Sequence, residues 1–97
     1  MIVSFRNAGT EDVFNRKSTK AAQRICPQVL WPVAQRKLDQ LNAAQQLKDV
    51  AVPPGNRLEA LRGERRGQHS IRINDRYRVC FRWTEHGAKA VEITDYH

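Results

Sequence analysis

The stretch HSIRINDRYRVCFRW, from His69 to Trp83, limits the fold more than any other part of the chain. His69, Ile71 and Ile73 fall on odd positions, as do Tyr77, Val79, Phe81 and Trp83, while Arg72, Arg78 and Arg82 take even ones. A period of two is the mark of strands with one face in a core and the other turned away from it. Residues paired across an antiparallel ladder share a face, so Ile71 must meet an odd-numbered partner such as Val79. That register needs the three-residue loop Asn74-Asp75-Arg76, although "ND" at first reads as a two-residue turn. It also sets Arg72 opposite Arg78. Facing like charges destabilise a sheet by roughly some tenths of a kcal/mol. Such a face either holds an anion or lets both chains splay into water, and at this point both readings stand.

The remaining chain supplies the cover for the buried face. Ile2 to Phe5 reads as a short β-type opening. Thr10 offers an N-cap with Glu11 and Asp12 in the first turn and Val13 and Phe14 as anchors, which predicts a short helix. Arg16 to Arg24 shows no usable periodicity and reads as a loop or a frayed helix end. A longer helix is expected from about Trp31 to Leu47, with Pro32 in its first turn and Leu30, Ala34, Leu38 and Leu41 as an apolar stripe. Val52-Pro53-Pro54-Gly55-Asn56 ends that half. The rest reads as strands: RLEAL (57–61), HSIRI (69–73), YRVCFRW (77–83) and KAVEITDY (89–96), joined by RGERRGQ, NDR and TEHGA. The expected fold is α+β, β-α-α-β-β-β-β, with two N-terminal helices on one face of a mostly antiparallel sheet, in a single domain over residues 1–97. On the last strand Val91 and Ile93 go to the core. Glu92, Thr94 and Tyr96 then join the arginine face, Asp95 turns toward the body, and His97 lies at the rim.

Charge narrows the class of partner. Seventeen basic residues against ten acidic ones give a formal charge of +7, and a domain this basic carries the electrostatic footprint of a nucleic-acid binder. Between Arg57 and Arg82 there are eight arginines and no lysine, against Glu59, Glu64 and Asp75. Guanidinium forms planar, bidentate contacts with phosphate that ammonium cannot. Cys26 and Cys80 lack any metal-ligand spacing and are expected as reduced core residues in a cytoplasmic protein. No apolar run has the length of a membrane span.

The residue types present suit RNA cleavage without a cofactor. The three histidines, His69, His86 and His97, stand apart in the sequence, and no Walker loop, nucleophile elbow or metal-ligand motif occurs. Cleavage at a 2′-hydroxyl needs a base, cationic donors for the charge that grows on phosphate, and an acid for the 5′-oxygen. A carboxylate such as Glu59 can be the base, the arginines the donors, and His97 the acid. Tyr96 can stack on a nucleobase or bond a phosphate oxygen.

NRLEALRGERRGQHSIRINDRYRVCFRW followed by DYH closely resembles the HigB-type toxins of bacterial toxin–antitoxin modules, within the RelE/ParE superfamily. The resemblance extends over essentially the whole chain, including VAQRKLDQLNAAQQLKDV. It implies a RelE-like fold and a ribosome-dependent endoribonuclease that enters the ribosomal A site and cuts mRNA there. It implies no cofactor or metal, a HigA-type helix-turn-helix antitoxin as partner, and contact with operator DNA only through that antitoxin. By position, Arg78 is implied to stabilise the transition state, with Asp95, Tyr96 and His97 as the C-terminal active-site triplet. Arg62 falls where these toxins place a basic active-site residue, and Arg65, Arg66, Arg72 and Arg82 are expected to bind RNA. Some HigB proteins have histidine where this chain has Glu59, whereas a RelE-like branch uses glutamate there as general base. Two other readings remain: a non-catalytic ParE-like gyrase poison on the same scaffold, and a plain basic RNA-binding module.

Overall fold

The computed structural model describes residues 1–95. Its centre is a four-stranded antiparallel sheet in the order β1-β2-β3-β4, formed by Glu59–Ala60, His69–Arg72, Tyr77–Thr84 and Gly87–Asp95. Ile71 pairs with Val79 and Arg72 with Arg78, as the odd–even alternation requires. The Ile73 N–H donates to the Tyr77 carbonyl, closing the three-residue loop 74–76. Inside that loop the Asn74 carboxamide oxygen accepts from the Arg76 and Tyr77 amides, 2.9 and 2.7 Å away. Asparagine at this position thus supplies the turn's own hydrogen bonds.

The described residues hold three helices, one more than expected: α1 (Ala8–Phe14) and α3 (Trp31–Ala43) pack against the apolar face, and α2 (Lys20–Ile25) packs against α1. Asn7, not Thr10, caps α1, accepting from the Thr10 amide at 2.9 Å. The Thr10 hydroxyl is committed elsewhere: it is fully buried and accepts from the Ile93 amide, pinning α1 to β4. The segment read as a loop contains α2, because Thr19 caps it through the Ala22 amide and donates to Asp12. The stripe of α3 is buried at Trp31, Ala34, Leu38 and Leu41, but the helix ends at Ala43, not at Leu47. Asp49 accepts from the backbone amides of Gln45 and Gln46, which caps a separate 3-10 turn over Leu47–Ala51 and draws the chain out of α3.

The opening segment reaches β4 through two parallel bridges, Ile2 with Ala88 and Phe5 with Val91, and is not a named strand. β1 covers only two residues of the expected RLEAL, because Arg57 sits in the left-handed region at φ 47° and starts the strand late. β4 contains a bulge that alternation did not foresee. Cys80 pairs with Glu92 but Arg82 pairs with Lys89, so the ladder absorbs one extra residue around Ala90, at φ 53°. Both Ala88 and Val91 therefore face the core, where Phe81, Leu38, Leu41, Ile71 and Val79 are fully buried. At roughly 25 cal/mol per Å² of apolar surface removed from water, this helix–sheet layer is the main stabilising contribution.

Candidate active site

The second face of the sheet carries the site, and its floor is neutral. Ser70 and Cys80, paired across β2 and β3, are both fully buried, and Leu61 lies outside the main core cluster yet is also buried. Charged side chains stand around these small groups. Arg78, on β3, is the most deeply set of the ion-paired arginines: its side chain is 15% exposed, one Nη donates to the Ser70 hydroxyl at 3.2 Å, and the other meets Glu59 of β1 at 3.5 Å. Glu59 pairs in register with Ser70, which brings the carboxylate to this face at the sheet's edge, half exposed. The like-charged pair Arg72 and Arg78 neither splays into water nor stays uncompensated. Arg72 takes Asp75 from the adjoining loop and Arg78 takes Glu59.

Glu92 is a second organising carboxylate. Only 12% of its side chain is exposed, and it contacts Arg6 at 3.1 Å and Arg65 at 3.7 Å while accepting from the Thr94 hydroxyl at 3.0 Å. It thereby ties the N-terminal segment and the Gly63–Arg65 turn to β4 across the arginine face. Arg65 also donates to Gln68 within its own loop. The odd–even pattern placed Glu92 on this face, but no local signal marked Arg6 as its partner, since that pairing spans the chain.

The other expected residues fall as follows. Asp95 pairs with Tyr77 in the ladder and forms a two-point ion pair with Arg76, at 2.9 and 2.7 Å. The neighbouring carboxylate pushes the Arg76 guanidinium pKa up. Asp95 thus secures the last described residue of β4 to the 74–76 loop. Arg62 and Arg66 flank the Gly63–Arg65 turn and are exposed. Arg82 is exposed on the same face as Arg78, with its guanidinium against Gly67: a Cβ there would come 2.5 Å from an Nη. Tyr96 and His97 lie outside the described residues. Burial pushes up the pKa of the Cys80 thiol, opposed by a hydrogen bond to Thr94, and burial raises that of Cys26 to about 11. These are inert core thiols by environment. No cluster of three or more His, Cys, Asp and Glu side chains among the described residues is placed to hold a metal ion, and no described helix is long and apolar enough to cross a membrane.

The arrangement sets a cationic donor beside a group able to accept a proton. A preorganised guanidinium, seated on a hydroxyl and flanked by a carboxylate within reach of the same ligand, joins a charge stabiliser to a proton acceptor.

Comparison with known proteins gives a consistent result. The family model for HigB-like toxins, described as the RelE-like toxin of the type II toxin–antitoxin system HigB, matches residues 3–97. The chain is 44% identical over 62 residues to Toxin HigB-1 of Vibrio cholerae serotype O1, covering 64% of this chain and 65% of that one. It is 37% identical over 57 residues to an uncharacterized protein of Haemophilus influenzae, covering 59% of this chain and 56% of that one. The matched stretches span less than two thirds of either relative.

Proposed function

The chain belongs to the HigB-like family of RelE-like toxins of type II toxin–antitoxin systems, and from that premise we propose that it is a ribosome-dependent mRNA endoribonuclease. It cuts message in the ribosomal A site and so halts translation. The observation that carries this reading is the contact of Glu59 with Arg78 over the buried Ser70 and Cys80.

In this mechanism Glu59 takes the proton of the 2′-hydroxyl, and the freed 2′-oxygen forms a bond to phosphorus. The bond from phosphorus to the 5′-oxygen breaks, and His97 supplies the proton that this oxygen takes up. The products are a 2′,3′-cyclic phosphate and a 5′-hydroxyl. Arg78 turns from its 3.5 Å contact with Glu59 toward the non-bridging oxygens, where negative charge grows in the transition state. Losing that contact also frees the carboxylate to accept the proton. Tyr96 holds a nucleobase beside the scissile bond. Arg62 adds a cation at the edge of the site, and Asp95, through its pair with Arg76, fixes the end of β4. Arg65, Arg66, Arg72 and Arg82 hold the RNA backbone. A HigA-type helix-turn-helix antitoxin is the partner that silences the activity and brings the pair to operator DNA, and the ribosome places the protein in the cytoplasm.

The test uses the purified chain with one mRNA, either programmed on ribosomes or free. Cleavage is expected only on ribosomes. Equal cleavage of free RNA would remove the A site from the account, and no cleavage in either state would remove the nuclease.

A further inference from the structure

A second cationic position lies on the arginine face, four residues along β3 from Arg78. Arg82 pairs with Lys89 across the β3–β4 ladder, so both side chains leave the sheet on this side, and both residues are exposed. The β4 bulge creates the pair. Without the extra residue Arg82 would face Ala90, and Lys89 would turn toward the core side of the sheet. The bulge is held in place: Ala90 adopts φ 53° and its amide donates to the Ser4 hydroxyl at 2.9 Å. Bulges commonly re-aim a side chain beside a functional site.

Two features separate this pair from the rest of the face. The ladder pair Arg72 and Arg78 is balanced by Asp75 and Glu59, whereas among the described residues neither Arg82 nor Lys89 has a carboxylate in contact. Facing like charges destabilise a ladder, and an external anion reverses the sign of that interaction. Gly67 lets the Arg82 guanidinium lie against the loop that connects β1 and β2, since a Cβ there would stand 2.5 Å from its Nη. The fork thus lies beside a loop that itself carries Arg65 and Arg66.

We propose that Arg82 and Lys89 form a second phosphate subsite, occupied by the backbone of the same RNA strand whose scissile phosphate lies at Arg78. This rests on the nuclease reading above. Four strand residues span ~13 Å, a separation that a single RNA strand covers within a few nucleotides, so one strand can reach both positions. The subsite contacts backbone only, so it contributes docking and register without base preference. Its loss therefore appears in KM and leaves kcat unchanged.

The test compares the full chain with Arg82→Gln/Lys89→Gln and with Lys17→Gln/Lys48→Gln, which removes the same charge from exposed residues on the α1–α2 connection and on the turn after α3. Binding of a single-stranded RNA oligonucleotide is titrated against salt, and cleavage of ribosome-programmed mRNA is followed at steady state. The first variant should lower the salt slope by about 1.4, from ~0.7 per phosphate contact. It should raise KM on the order of tenfold with kcat within about twofold. The control should keep the wild-type slope. A wild-type slope and KM in the first variant would overturn the subsite, and so would an equal change in the control. The slope is read from binding alone, so it decides the subsite even if wild type does not cleave, an outcome that would sink only the nuclease reading.

Discussion

Arg78 is set deeper than the other arginines of its face, on a serine hydroxyl and beside a carboxylate that holds it loosely. A guanidinium ordered this way loses little freedom when phosphate arrives, and its two donors can serve two oxygens at once. Arg78→Lys keeps the charge and loses the fork, so cleavage should fall on the order of a hundredfold with the unfolding temperature unchanged; full activity in this variant would reduce Arg78 to a point charge. The thiols give a prediction independent of function. Burial raises the pKa of Cys26 to about 11 from 9.0 in an open chain, and that of Cys80 in the same direction. Neither should react with a thiol reagent near neutral pH until the protein is unfolded. The folded state holds the Cys26 proton more tightly than the unfolded chain, so its contribution is complete below pH 9.0 and is lost as pH climbs toward about 11. Denaturant midpoints measured across that window should decline, and a flat profile would contradict the burial. Asn56 is a buried polar hub, giving hydrogen bonds to the carbonyls of Val50 and Val52 and to Gln40 and accepting one from Lys37. Asn56→Ala should cost about 1–3 kcal/mol by orphaning these groups, as a denaturant titration would read.

At the scale of elements, close approach decides the helical layer. A Cβ on Gly9 would stand 2.6 Å from the Ala21 carbonyl oxygen and 3.1 Å from the Ile25 Cβ, so α1 crosses α2 through a residue without a side chain. Gly9→Ala must push two helices apart and should lower stability by about 1–3 kcal/mol, seen as a lower unfolding temperature; no loss would mean that the helices do not meet as described. The β2–β3 register was legible in the sequence because one face is apolar and a slip of one residue would bury arginine. The bulge was not, because alanine in the left-handed region carries no local signature and its amide is satisfied by Ser4, 86 positions away. The end of α3 is hidden in the sequence for a related reason: the apolar stripe continues to Leu47, and the competing cap comes from Asp49, beyond the stripe. α2 escaped notice because six residues are too short for periodicity to show, and its Thr19 cap lies inside a basic run. Of the site itself, the arginine face and Glu92 could be placed by counting odd and even positions, whereas Glu59, at an odd position, reaches that face only through its register with Ser70. The link from Glu92 to Arg6 could not, since it depends on the N-terminal segment lying beside β4.

For the molecule as a whole, the formal charge of +7 overstates how open the cations are. Among the described residues six arginines are tied to carboxylates, four of them on or beside the arginine face near Arg78 and Glu92. On the proposed function RNA competes with internal partners near Arg78, while among the described residues Arg82 and Lys89 have no carboxylate in contact. Ribosome association should consequently weaken steeply with salt, by orders of magnitude between low and physiological ionic strength if about six or more phosphates are contacted. A sedimentation assay across that range checks this, and a flat response would refute docking through the arginine face. The nuclease role of the arginine face depends on whether this face cuts message. Cells induced for wild type, Arg78→Ala and Glu59→Gln, with mRNA 5′ ends mapped after induction, give the most direct reading. New 5′ ends are expected within translated frames for wild type, with their loss in both variants at equal protein levels. The same ends in Arg78→Ala, or growth arrest by wild type without any new ends, would contradict it.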